Sequence, residues 1–132
     1  MESVIKLFED HSDFLYAGKG CSEDKISQAE HTLGTRFAPD YRECLRKYGI
    51  FVFEGHEFAG ITDVKRVSVT DVTRMNRALM DDIPDDWYVL EETNIDGIIV
   101  WQSPDGTVYI SQPRIEPVRV AKNLNSFITA CM

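Results

Sequence analysis

No run of apolar residues in this 132-residue chain approaches the ~20 that a membrane helix requires. The opening segment, Met1 to Glu9, is charged and amphipathic. It lacks the basic start and unbroken apolar region of a secretory signal. Cysteine is scarce: Cys21, Cys44 and Cys131 are odd in number, widely spaced and include no C-x-x-C pair. That pattern excludes a disulfide framework and fits a reduced, cytoplasmic protein in which each thiol acts as a small hydrophobe. Lysine and arginine are missing altogether between Asp81 and Pro113. With a net charge of −8, the chain is poorly suited to DNA or RNA, whose binding draws on Lys and Arg displacing counterions from phosphates.

Catalytic and metal motifs are also wanting. There is no G-x-G-x-x-G, no Walker-type glycine loop and no G-x-S-x-G elbow. His11, His31 and His56 fall in separate elements, and His56-Glu57 has no second histidine one helical turn on, so neither a metal nor any other cofactor is expected. Ser22-x-x-Lys25 matches a penicillin-binding pattern by letters alone; its partner motifs are absent, and Ser22 reads as a helix cap. The acid pairs Asp81/Asp82 and Asp85/Asp86 flank a proline in what reads as a solvated loop, not a desolvated acid–base couple. The chain is expected not to be an enzyme.

What remains is an ordinary globular composition, 43% apolar and 27% charged, at a length suited to one domain over residues 1–132. Apolar spacing at Val4, Leu7, Phe8 and Phe14 suggests a helix over Ser3 to Leu15, broken at Tyr16 to Gly20. Ser22 caps a helix carrying Ile26, Ala29 and Leu33, closed by Gly34. Pro39 opens another with Tyr41, Leu45 and Tyr48. Ile50 to Phe53 and His56 to Ile61 read as extended, as do Val67 and Val69. Thr70 or Asp71 would cap a helix buried through Val72, Met75 and Leu79. The rest reads as a meander: Trp87 to Leu90, a doubly covered strand at Ile98 to Trp101, Thr107 to Ser111 and Val118 to Val120. Asn123 caps a last helix through Leu124, Phe127 and Ile128. Helices, then strands, then a helix predict an α+β fold, a mainly antiparallel sheet flanked by helices.

The charge is unevenly placed. Asp81, Asp82, Asp85, Asp86, Glu91, Glu92, Asp96 and Asp105 equal the entire negative excess of the chain. Trp87, Tyr88, Trp101 and Tyr109 are interleaved with them. One reading has the aromatics packing the sheet while the acids solvate it. The other has a recognition surface made of Asp81, Asp82, Asp85, Asp86, Trp87, Glu91, Glu92, Asp96 and Trp101, since aromatics are enriched at interface hot spots and one-signed strips speed encounter with an opposite charge.

Gly20-Cys21-Ser22-Glu23-x-x-Ile26 runs into Ala29-Glu30-x-x-Leu33-Gly34, followed by Phe37, Asp40-Tyr41-Arg42 and Tyr48-Gly49. This order resembles the SUKH superfamily, which includes the Smi/Knr cell-wall regulators of yeast and YobK-type bacterial antitoxins. Looser similarity continues through Phe58-Ala59-Gly60-Ile61, Asp96-Gly97, Gly106-x-Val108-Tyr109 and Ser126-Phe127. One departure stands out: Ala38 occupies the place of the family's usual proline, and Pro39 comes one residue later. The resemblance implies a single SUKH-like α+β domain. For many bacterial members it also implies immunity: binding and neutralising a cognate toxin, often a nuclease domain of a polymorphic toxin system. An acidic flank would suit a basic nuclease cleft, with the chain a monomer or weak homodimer that binds neither nucleic acid nor membrane. The alternatives are an intracellular regulatory scaffold unrelated to toxins, or a small enzyme using His56, Glu57 and nearby acids.

Overall fold

The computed structural model of the chain describes residues 4–10 and 20–131, and the main chain of 15–17. The expected roles of Phe14, Gly18 and Lys19 lie outside the described residues. The first helix, α1 (Val4–Glu9), buries Val4 and Phe8. It is shorter than its apolar spacing suggested. Leu15–Ala17 is instead a strand, β1, because it pairs antiparallel with Ile50–Val52. A remote pairing thus overrides the helix through Leu15 and the break at Tyr16 that local patterning suggested.

The two helices that follow are fixed by local chemistry. In α2 (Glu23–Leu33) the Ser22 hydroxyl accepts the Lys25 N–H at 3.3 Å, and Glu23 and Asp24 complement the helix dipole. Gly34 ends it at φ 67°, its N–H returning to Glu30 and His31, a conformation that costs glycine little. Ile26, Ala29 and Leu33 face inward. Pro39 opens α3 (Pro39–Lys47), which buries Tyr41, Cys44 and Leu45. Glu30 joins the two helices by accepting the Phe37 N–H at 2.8 Å and pairing with Arg42.

Strands β2 (Ile50–Phe53) and β3 (His56–Phe58) form a hairpin. Its turn residues Glu54 and Gly55 sit at φ 51° and 78°, the left-handed pair that a type I′ connection demands. Val67 and Val69 are not a strand. Lys65–Val67 is a single 3-10 turn, and Val69 begins α4 (Val69–Leu79). Gly60 explains the switch: its N–H donates to Val67 O and its carbonyl accepts the Val69 N–H, both at 2.8 Å. A side chain at Gly60 would collide with the Gly49 carbonyl, which lies 1.7 Å from an ideal Cβ. The α4 cap is Ser68, accepting from the Asp71 N–H, and not Thr70 or Asp71.

The buried face of α4 is also rotated from expectation. Val69, Val72, Thr73 and Asn76 are buried, while Met75 is 53% and Leu79 75% exposed. The inward polar groups are satisfied, which is what makes their burial tolerable. Thr73 Oγ1 accepts the Val89 N–H, and Asn76 Nδ2 donates to Val72 O and to Glu92.

A four-stranded antiparallel meander completes the fold: β4 (Tyr88–Glu92), β5 (Ile99–Gln102), β6 (Val108–Gln112) and β7 (Ile115–Ala121), in that spatial order. All of β5 is buried, as expected for an inner strand covered on both faces. The closing helix, α5 (Leu124–Cys131), is capped by Asn123 through the Ser126 N–H. The fold is α+β, with two antiparallel sheets, β1-β2-β3 and β4-β5-β6-β7, and five helices among the described residues.

A bulge links the sheets. In β4 the register shifts between Val89 and Glu91, leaving Leu90 outside the pairing with β5. The Leu90 carbonyl accepts the Ala59 N–H at 2.7 Å, just beyond β3. The core follows this seam, with Tyr41 stacked on Tyr88 and Phe51 on Phe58.

Candidate partner-binding surface

The acids are carried by two turns at opposite ends of β4. Asp81, Asp82, Asp85 and Asp86 lie on the loop between α4 and β4 and are all exposed. Asp96 lies in the turn after β4, also exposed, at φ 52°. Five residues of β4 separate Asp86-Trp87 from that turn, a span of ~17 Å at ~3.3 Å per residue. The acidic stretch is therefore spread along the molecule.

The loop is pinned near Asp85 and Asp86. Thr35 Oγ1 donates to the Asp86 carbonyl at 2.7 Å. The Arg77 guanidinium donates to Trp87 O at 2.9 Å and to Leu33 O at 2.8 Å, the latter at the negative end of α2. Burial lowers the Arg77 pKa from its usual value, and the nearby Asp85 and Asp86 oppose that shift. The same charge thus anchors the loop and attracts its acids.

Trp87, Trp101, Glu91 and Glu92 are placed differently from a surface strip. Trp87 is 9% exposed and stacks on Tyr109 with ring centroids 3.9 Å apart. Trp101 is fully buried, its indole N–H donating to Ser111 Oγ, because both faces of β5 are covered. Glu91 is 5% exposed, following the bulge into the seam, where His56 Nδ1 lies 2.9 Å from Oε1. Glu92 is half-buried and engaged by Asn76. The exposed acids of the stretch are thus Asp81, Asp82, Asp85, Asp86 and Asp96, together with Asp105 on the β5–β6 turn.

The His56–Glu91 pair leaves no local signal, since 35 residues separate the partners. His56 does not work with Glu57, which pairs instead with Arg66. Burial pushes the Glu91 carboxyl up, and the hydrogen bond and charge of His56 pull it partly back. Cys131 lies in the electrostatic reach of Glu91 and Glu54; burial first, then those acids, push its thiol up to about 11. It stays protonated at neutral pH and supplies no activated nucleophile. Among the described residues, no group of three or more His, Cys, Asp or Glu is placed to hold a metal ion. No described helix is long and apolar enough to cross a membrane.

The residues carrying the SUKH resemblance hold the scaffold together. Gly34 closes α2, and Glu30 ties α2 to α3. Tyr41 donates its hydroxyl proton to Ala59 O at 2.6 Å across the seam. Asp40 Oδ2 accepts the Leu124 N–H at the start of α5, and Oδ1 accepts from Gln102. A family model described as SMI1-KNR4 cell-wall, SUKH_5, matches residues 1–132. The chain belongs to this family. A comparison with curated proteins found no match. SUKH proteins are typically binding modules, and membership is consistent with an immunity-type function.

Proposed function

We propose that this SUKH protein is a cytoplasmic, non-enzymatic immunity protein that binds and neutralises a cognate toxin domain, a nuclease of a polymorphic toxin system. The observation that carries the reading is the loop from Asp81 to Asp86. It exposes four aspartates, has no compensating base within it, and is pinned by Arg77 and Thr35 to a SUKH scaffold. A nuclease cleft is built to hold phosphates, so a fixed row of carboxylates fits it while repelling nucleic acid. Trp87 and Trp101 support this surface from beneath rather than touching the partner.

The test is protection of cells expressing a candidate toxin domain drawn from the genes that neighbour this one. Replacing Asp81, Asp82, Asp85 and Asp86 together by Asn should leave the fold intact, slow association and abolish protection. Association with the purified toxin domain should also weaken as salt rises, since the Debye length shrinks to ~3 Å at 1 M. Full protection by the folded variant, or affinity indifferent to salt, overturns the reading. The resemblance to the Smi/Knr cell-wall regulators keeps a regulatory module as the alternative. A specific partner recovered where no toxin is encoded would favour that alternative.

A further inference from the structure

Beside the acidic loop lies a cleft of about 520 Å³ between the end of α4 and the β6–β7 hairpin. Leu79 and Ile115 line it, 75% and 54% exposed, with the half-buried Ile83 between them in the chain. Asp81, Asp82 and Glu116 line it as well, and none of their three carboxylates has a hydrogen-bond or ion-pair partner among the described residues. The hairpin also bears on the other acidic turn: a Cβ at Gly97, next to Asp96, would lie 3.0 Å from the Pro113 ring. Large aliphatic side chains left in water beside unpaired carboxylates are a costly arrangement for a free monomer and a useful one for a binding groove.

From this groove we infer the partner's anchor: an arginine flanked by aliphatic residues on the protein that this chain binds. The inference rests on the reading of the chain as a protein-binding module. The carboxylates call for a cation, and the aliphatic walls for one that is weakly hydrated and carries an apolar stem. Arginine meets both demands better than lysine, because its guanidinium is less strongly hydrated and pairs with carboxylates through a planar fork. Arg114 is the single base among the lining residues. It sits at φ 67° on the hairpin turn, a conformation unfavourable for a residue with a side chain. It opposes the incoming charge, so it tempers affinity rather than making the contact.

The experiment maps amide shifts of the ¹⁵N-labelled full chain on titration with acetyl-Leu-Arg-Leu-amide. Its controls are acetyl-Leu-citrulline-Leu-amide, a neutral isostere, and acetyl-Ser-Arg-Ser-amide, which lacks the aliphatic flanks. The arginine peptide should perturb residues 79–83 and 112–116 in a saturable manner. It should bind about tenfold more tightly than the citrulline peptide, the scale of one charge-assisted pair. Asp81→Asn/Asp82→Asn/Glu116→Gln should erase that difference. Leu79→Ser should erase the advantage over the serine-flanked peptide. Arg114→Asn, which suits a left-handed position without charge, should tighten binding two- to threefold by the same charge logic. Equal response to the charged and neutral peptides, shifts gathered at Asp85, Asp86 or Asp105 instead, or weaker binding by Arg114→Asn would overturn the inference. A chain that neutralises its toxin while ignoring the arginine peptide loses this groove but keeps the immunity reading. One that binds the peptide in the groove but protects against no toxin keeps the groove and loses that reading.

Discussion

The hydroxyl of Tyr88 accepts the Ala38 N–H at 2.8 Å and donates its own proton to Gln102 Oε1 at 2.5 Å. Ala38 stands where the family more often has proline, and proline has no N–H to give. The displaced proline thus has a physical counterpart: a buried tyrosine on β4 whose hydroxyl uses the freed donor. Tyr88→Phe should leave both the Ala38 N–H and the Gln102 carbonyl short of a partner, costing ~2–4 kcal/mol in chemical denaturation. Ala38→Pro should cost at least as much although φ at Ala38 is already −61°, because the proline Cδ replaces the N–H and would press on the Tyr88 hydroxyl that now lies 2.8 Å from the nitrogen. A Tyr88→Phe variant as stable as the parent would show that this network does not hold the seam.

Asp40 performs a similar junction. It meets the first backbone N–H of α5 and the side-chain amide of Gln102, so one carboxylate joins α3, β5 and α5. Removing a cap of this kind costs ~1–2 kcal/mol. Asp40→Ala should do so, with hydrogen exchange accelerating first in 124–131. Uniform loss of protection across the chain would instead mean that Asp40 serves the whole core and not the end of one helix.

Local chemistry explains why so much of the helical half was readable. Ser22, Gly34, Pro39 and Asn123 act on neighbours within a turn or two, and each does in the fold what its residue type suggests. The misreadings have remote causes. Val67 and Val69 resemble a strand by alternation, but the backbone of Gly60 captures both. Met75 and Leu79 complete an apolar stripe by spacing, yet Thr73 and Asn76 hold the inward face because β4 supplies their partners. The acidic stretch was visible as a run of charge. Its division into exposed loop acids and a buried Glu91 depends on a bulge that no single segment encodes. Arg77 left no signal either, since its acceptors lie on α2 and at the start of β4.

The rotated face of α4 yields a direct comparison. Met75→Gln changes a residue that is more than half exposed and should move stability by no more than ~0.5 kcal/mol. Val72→Ala opens space beneath the same helix at a buried position and should cost ~2 kcal/mol. Urea midpoints of the two variants decide it. The reverse ranking would restore the stripe that apolar spacing suggests.

Glu91 gives the fold a pH dependence of defined sign. Its carboxyl titrates above the usual range because burial disfavours the charge more than His56 stabilises it. The folded protein therefore holds the Glu91 proton more tightly than the unfolded chain does. This group's contribution is least favourable above its folded pKa, improves as pH falls through that value, and levels off below the unfolded value of ~4.3. Glu91→Gln, neutral at every pH, should be more stable relative to the parent at pH 7 than at pH 4. The difference in urea stability between the two proteins should shrink steadily on acidification. A difference that widens would mean that the ionised pair with His56 is the preferred state.

Arg77 connects stability to recognition. Its guanidinium reaches Leu33 O and Trp87 O, and the acids it faces, Asp85 and Asp86, belong to the proposed contact surface. Arg77→Met keeps most of the aliphatic stem and removes the donors, leaving two carbonyls short of partners at a cost of ~2–3 kcal/mol. If the loop binds because it is held ready, the folded variant should also lose partner affinity, since ordering the loop would then have to accompany binding. Arg77→Lys retains the charge but lacks the planar fork that spans both carbonyls, so it should recover the attraction to the acids without recovering the anchor. Affinity measured well below each variant's unfolding temperature separates the two effects. Arg77→Lys should remain closer to Arg77→Met than to the parent if geometry dominates. It should return nearly to the parent if the charge alone matters.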